Sequence, residues 1–219
     1  MVKIVFLGHA SFLITTATGK KIVTDPYQPG GFGGQIAHGP LKEPADYVTI
    51  SHDHADHNYV KMVPGNPVVV SRAGDQQEGD ILFRALATYH DKSRGAERGQ
   101  NIVRVIEVDD LTLCHLGDLG HPLSPEDATA LGSIDVLMVP IGGTFTLDAQ
   151  GATAVVNRLR PRIAIPMHYK TEKVGFNLAP VSEFISDKER VRRVGGSEFE
   201  VSKDSLPDPT EIVVLEPAL

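Results

Sequence analysis

Hydrophobic residues fall along this chain in short runs broken by glycine, proline and polar clusters, the punctuation of a protein built largely on β-strands. Val2 to Leu7 is one such run and stops at Gly8. Ser11 to Thr16 and Lys21 to Thr24 follow it, joined through Thr18-Gly19-Lys20, so the opening predicts a β-meander. Tyr27 to Pro40 carries five glycines and few apolar anchors beyond Phe32 and Ile36. That composition predicts a loop, mobile without substrate, of a length that is usually functional. Asp46 to Ile50 is β-branched and aromatic and predicts a buried strand. Asn58 to Val63 predicts a short helix halted by Pro64-Gly65, and Pro67 to Ser71 another strand.

In the second half, Ile81 to Tyr89 alternates as a half-buried strand does. Asn101 to Val108 and Leu111 to Leu116 predict a hairpin across Asp109-Asp110. Ser124-Pro125-Glu126-Asp127 is a helix start, with a hydroxyl cap, proline at the first helical position and acids at the positive end of the helix dipole. Ile134 to Val139 and Arg162 to Pro166 predict buried strands. Between them, Ala152, Val155, Val156 and Leu159 have the spacing of one helix face over Asp148 to Leu159. Val181 to Arg190 predicts a helix, and Phe199 to Ser202 and Glu211 to Glu216 late strands. Strands then helices, twice over, suit an α/β fold, a four-layer αββα sandwich, in one domain over residues 1–219.

Composition adds limits. A chain of 219 residues, 41% hydrophobic, can bury a sizeable core. No apolar run approaches the ~20 residues of a membrane span, and Met1-Val2-Lys3 leads into a strand instead of a signal peptide. A cytoplasmic protein with no membrane partner is expected. The single Cys114 cannot form an internal disulfide, which fits a reducing compartment. The net charge of −7 with no basic run argues against a dedicated nucleic-acid surface and leaves a small molecule as the expected partner. A homo-oligomer is compatible with all of this.

The chemistry is concentrated in Ser51-His52-Asp53-His54-Ala55-Asp56-His57, where three histidines and two aspartates lie in six residues. Neutral imidazole and carboxylate are the ligands that zinc and its neighbours prefer. A solvated polar loop would not concentrate them so. In extended backbone, residues two apart face the same way, so His52 and His54 can grip one ion together. Asp56 and His57, where the chain turns away, would face a second ion.

This run resembles the His-x-His-x-Asp-His signature of the metallo-β-lactamase superfamily. The resemblance continues in Gly8-His9-Ala10-Ser11-Phe12, Thr24-Asp25-Pro26, His90, Gly117-Asp118 and Pro166-Met167-His168-Tyr169, in the same order over nearly the whole chain. The compact metal-dependent hydrolases related to ascorbate-phosphate lactonases look most similar, notably over Cys114 to His121 and Pro140 to Thr146. The resemblance implies the αββα metallo-β-lactamase fold. It also implies two divalent ions, zinc first, with manganese, iron, cobalt or nickel also suited. His52, His54 and His90 would hold the first, Asp56, His57 and His168 the second, and Asp118 would bridge. His115 rivals His90 as the third ligand of the first site; motif order favours His90.

Metal-bound imidazoles need acceptors for their other N–H. His9, Asp25, His115 and His121 are candidates for positions behind the ligands, Asp25 foremost, and Asp53 reads as structural. Tyr169, Lys170 and Lys173, with Arg94 and Arg98, are candidate contacts for an anionic substrate. Two dications can make hydroxide from water near neutral pH, and Asp56 is the candidate to orient it and take its proton. The implied activity is hydrolysis of an ester, lactone, amide or phosphodiester. A non-catalytic metal sensor or scaffold of the same fold, or a nuclease-type phosphodiesterase, are the alternatives.

Overall fold

Six strands pair into one sheet and eight into another in the computed structural model, which describes residues Met1–Leu219. In chain order the strands are β1 (Val2–Gly8), β2 (Ser11–Thr15), β3 (Lys21–Thr24), β4 (Tyr47–Thr49), β5 (Val68–Val70), β6 (Gln76–Glu78) and β7 (Ile81–Tyr89). They continue as β8 (Gln100–Val108), β9 (Leu111–His115), β10 (Val136–Pro140), β11 (Ile163–Met167), β12 (Val191–Arg193), β13 (Glu198–Val201) and β14 (Glu211–Val214). The first sheet has the order β13-β1-β2-β3-β4-β5, the second β12-β14-β11-β10-β9-β8-β7-β6.

The two sheets face each other across a shared apolar core that includes Ile4, Phe6, Phe12 and Ile14 from one and Ile106, Leu113, Met138 and Ile165 from the other. β10 and β11 are buried along their whole length, as central parallel strands covered on both faces must be. Helices Pro125–Leu131 and Ala149–Leu159 cover the outer face of the eight-stranded sheet. The first has the capping box foreshadowed by Ser124, whose hydroxyl accepts from Asp127 N–H while the Asp127 carboxylate accepts from Ser124 N–H. The second buries Ala152, Val155, Val156 and Leu159 and is capped by Asp148.

The fourth layer, over the six-stranded sheet, is thin. A single helical turn at Val60–Met62 and the glycine-rich segment after β3 cover Val5, Leu7, Leu13, Val23 and Val48. Asn58 to Val63 therefore forms less helix than expected, because Pro64 disfavours helical backbone at the residue before it. Val181 to Arg190 is also cut short, with the helix covering only Val181–Ile185. The charged tail of that segment leads into β12, which pairs with β14 at the sheet edge. β6 was not anticipated, since Gln76-Gln77-Glu78 has no apolar alternation and is defined only by its pairing to β7. No helix is long and apolar enough to cross a membrane.

Strand direction is what positions the site. β1 and β3 both run antiparallel to β2, and β4 runs parallel to β3, so these three end on the same edge of their sheet. In the other sheet β7 and β9 both run antiparallel to β8, while β9, β10 and β11 are parallel. Their ends also share one edge. His9, Asp25, the run from His52 to His57, His90, Asp118 and His168 follow the ends of β1, β3, β4, β7, β9 and β11 respectively.

Candidate metal centre

Donor atoms of His52, His54 and His90 lie within 4.8 Å of one another, and so do those of His9, Asp56, His57 and His168. Asp118 stands between the two groups. Its Oδ2 is 3.1 Å from His90 Nε2, 3.2 Å from His57 Nε2, 3.5 Å from His168 Nε2 and 3.8 Å from His52 Nε2. Three residues here hold left-handed backbone, namely His9 (φ 56°), Asp25 (φ 39°) and His168 (φ 51°). Such conformations cost energy in residues with a Cβ and gather where side-chain aim matters.

Asp25 orients histidines of both groups from behind. Its Oδ2 accepts from His57 Nδ1–H at 2.9 Å and from the Ser51 hydroxyl, and its Oδ1 accepts from Ser51 N–H at 2.8 Å. Ser51 Oγ in turn accepts from His52 Nδ1–H at 2.9 Å. One buried carboxylate therefore fixes the tautomers of His57 directly and of His52 through Ser51, leaving both Nε2 lone pairs facing inward. On the other side His9 Nε2–H donates to Asp56 Oδ2 at 3.1 Å. Asp118 is seated by Asn101, whose Oδ1 accepts the Asp118 N–H at 2.9 Å. The backbone of Gly117 (φ 55°) lies so close to Ser51 and Asn101 that a Cβ there would collide with both.

The electrostatics ask for a cation. Burial, with the charge of His57, brings His52 down to about 3, and burial also brings His168 to about 3, so both present lone pairs at neutral pH. Burial pushes the Asp118 carboxyl up, but His168 and His57 outweigh it and hold it well below the usual range. Asp56 is likewise lowered against its burial by the charge of His57 and the bond from His9. Burial alone would lower His57; the Asp118 and Asp56 carboxylates raise it well above normal instead. With its Nδ1 proton committed to Asp25, His57 Nε2 meets an acceptor-only oxygen of Asp118 at 3.2 Å. Two lone pairs at that distance repel, so a positive charge belongs between them, either the second proton that the raised His57 takes up or a metal ion in its place. Zinc–nitrogen bonds near 2.0–2.1 Å in a tetrahedron put ligand atoms about 3.3 Å apart, and these separations suit that. The residues fit divalent metal.

Other expected residues are placed differently. His115 spends both ring nitrogens elsewhere: Nε2–H donates to Ala10 O at 2.7 Å and Nδ1 accepts from Gly117 N–H at 3.1 Å. It is His90 that reaches the cluster. His121 lies outside it, its ring bonded to Tyr89 N–H and Pro122 O. Tyr169 points into the core beside Phe6 and donates to Leu215 O, because the strand alternation after His168 turns it away. Lys170 donates to Val174 O and Phe176 O and so closes its own loop. Asp53 accepts from the Asn58 amide, a structural role. Cys114 is buried, its thiol pushed up to about 12 by desolvation.

Two cavities of about 540 and 460 Å³ open on the centre and share Asp53, His54 and Arg98. Of the cations expected near substrate, only Arg98 lines them. Its loop is held by the buried Asp91, which accepts main-chain N–H from Ser93, Gly95, Glu97 and Arg98. The burial of Asp91 is outweighed by these four bonds, which hold its pKa to about 2. Ser51, Asn101 and Asp91 were not singled out in the sequence, because a serine after a strand or an asparagine within one has no signature of its own. The glycine-rich segment reaches the rim of the centre, Phe32 lining the smaller cavity. It is tied down more than expected: Tyr27, Ile36 and His38 are buried, and main-chain bonds join Ala37 to Lys173 and Gly175 to Gln35.

Residues 3–168 match the family described as the beta-lactamase superfamily domain. A Thermotoga maritima protein of the metallo-beta-lactamase superfamily, solved by crystallography, is 38% identical with a TM-score of 0.81, over 99% of each chain. The chain belongs to the metallo-β-lactamase superfamily. Among curated members, a UPF0173 metal-dependent hydrolase of Carboxydothermus hydrogenoformans is 31% identical over 97% of this chain and all of its own length. Igni18, a metallo hydrolase from Ignicoccus hospitalis, shares the fold at 20% identity and a TM-score of 0.66, covering 99% of this chain and 95% of its own. This superfamily member is a metal-dependent hydrolase with the metallo-β-lactamase fold.

Proposed function

We propose that this hydrolase works with two divalent ions, zinc before manganese, iron, cobalt or nickel, and cleaves an ester, lactone or phosphodiester bond of a small anionic molecule. His52, His54 and His90 would hold one ion, Asp56, His57 and His168 the other, and Asp118 would bridge. The observation that carries this is Asp118 Oδ2, which lies within 3.1–3.8 Å of histidine nitrogens from both groups. Bound there, the metals would supply a hydroxide nucleophile near neutral pH and polarise the substrate oxygen. The chain's own residues do the rest. Asp56 lines the cavity with Oδ2 held by His9, and it would take the nucleophile's proton. Asp25 and Ser51 hold the imidazole tautomers, and Arg98 is the one cationic side chain lining either cavity, placed to receive an anionic group.

A small molecule suits these cavities better than a nucleic acid, whose phosphates need a run of cations. A single domain and a cytoplasmic, reducing location go with this reading, since the lone thiol is buried and unpaired. Elemental analysis after reconstitution should give two ions per chain, and a panel of lactone, ester and phosphodiester substrates should reveal turnover. One ion at saturation would remove the dinuclear centre. Full loading without turnover of any panel member would favour a sensor or scaffold. Asp56→Asn should cripple turnover, and normal activity in that variant would refute its role as base.

A further inference from the structure

We propose that the substrate carries an apolar acyl or aryl group beside the cleaved bond, selected by a pocket that Phe32, Phe145 and Phe176 form at the metal centre. The inference rests on the hydrolytic reading of the site. The two cavities differ in kind. The larger is lined mainly by polar residues, among them Ser51, Asp53, Asn58, Ser71 and Gln100, with Ile50 and Ile102 its only hydrophobic ones and no aromatic ring. The smaller, beyond its histidines and aspartates, is lined by the three phenylalanines with Ala55 and Arg98.

These rings come from three distant segments and meet edge to face. Phe32 and Phe176 are 5.3 Å apart at 71°, and Phe145 and Phe176 are 5.8 Å apart at 79°. Phe176 also lies 6.1 Å from the His9 ring, so the wall begins at the metal centre and runs outward. Phe32 is 46% exposed and holds left-handed backbone (φ 52°) beside Gly33, and it belongs to neither apolar cluster of the fold. Beyond its edge contact with Phe176, the ring leaves nearly half its surface in water on a left-handed backbone, and a ligand in the cavity would cover it.

The wall is also built in advance. Lys170 bonds the carbonyls of Val174 and Phe176, and Gly175 N–H bonds Gln35 O at 2.7 Å, locking the Phe176 loop to the Phe32 turn. The Arg98 guanidinium sits 5.9 Å from the Phe145 ring centre, between the two cavities. Sugar hydroxyls set against these rings would lose water without finding partners, whereas an alkyl or aryl group gains by the same transfer. An apolar group in the smaller cavity and an anionic group at Arg98 are thus the arrangement the walls favour.

The test uses reconstituted enzyme with the 4-nitrophenyl esters of acetate, butyrate, hexanoate and phenylacetate, and calorimetric titration with free acetate and hexanoate. kcat/KM should rise about fourfold per methylene while the pocket fills. Phe32→Ala and Phe145→Ala should each cut the hexanoyl-to-acetyl ratio by about tenfold at wild-type metal content. A flat series, or ratios that neither variant changes, would overturn the proposal. If no ester is turned over, it is the ester-hydrolase reading that fails, and the titrations decide the pocket separately. Hexanoate binding more tightly than acetate, with the difference lost in Phe32→Ala, supports the pocket; equal binding of the two acids overturns it.

Discussion

Replacing Asp25 by Asn removes one buried negative charge while keeping the side chain's shape. In the native protein that carboxylate accepts from His57 Nδ1, from Ser51 N–H and from the Ser51 hydroxyl, and Ser51 passes the constraint to His52. An amide has one acceptor oxygen, so either Ser51 N–H or both His57 Nδ1–H and the Ser51 hydroxyl are left facing an NH₂ group. The His57 bond is charge-assisted, and losing such a bond costs about 1.5–3 kcal/mol. Loss of a carboxylate behind a metal-bound histidine lowers metal affinity by about 10–100-fold, or about 1.4–2.7 kcal/mol at 1.36 kcal/mol per decade. The two ranges overlap, so metal affinity at the His57 site should fall by that factor. The site of His52, reached through one serine, should weaken towards the lower end, about tenfold. Competition of the variant against a chromogenic zinc chelator, with thermal melting as a control for folding, measures both. Affinities within about twofold of wild type at both sites, with an unchanged melting temperature, would refute the anchoring role of Asp25.

The remaining expectations are shorter. His90→Ala should lower metal stoichiometry at the first site. His115→Ala should keep the stoichiometry and cost about 1–3 kcal/mol of stability, because its buried bonds to Ala10 and Gly117 are lost; chelator titration and denaturant melts of the pair decide this. Gly117→Ala should destabilise by about 2–4 kcal/mol, from its positive φ and the collision with Ser51 and Asn101, read from urea midpoints. With metal removed, stability should fall as pH drops below about 6.5, the ordinary histidine value, at about 1.4 kcal/mol per pH unit for each group involved. His52 and His168 stay neutral in the fold down to about 3, so the unfolded chain binds more protons across that window. His57 is shifted upward, so its contribution is fully present below about 6.5, where it is constant, and is lost only as pH rises through its raised folded value. A metal-free melting temperature that is constant or rises from pH 6.5 to 4.5 would contradict this balance.

The sequence alone determined the parts whose cause is local. A strand shows as alternation or as a β-branched run, which is why β7 and β8 lie within a residue of where the pattern put them. A helix start shows as a cap, as at Ser124, and a helix face as apolar spacing, as from Ala152 to Leu159. The compact histidine and aspartate run is legible because its members lie within six residues, where backbone geometry alone brings them near one another. What lay beyond reach depends on partners distant in the chain. The segment after Val181 reads as helix by its own propensity, yet its charged end leads straight into β12, which pairs with β14, because an open sheet edge offers hydrogen bonds that propensity cannot foresee. Glycines advertise flexibility in Tyr27 to Pro40, but the main-chain partners that restrain it come from 35–37 meeting 173–175. His90 and His115 both follow or end strands, and only the bonds of His115 to Ala10 and Gly117 show that its lone pairs are spent. The Asp25–Ser51–His52 chain exists only once β3 and β4, far apart in sequence, have paired in parallel, and the three-phenylalanine wall only once the two sheets have stacked. Strand direction and sheet packing are set by the whole core, and no local stretch of residues carries that information.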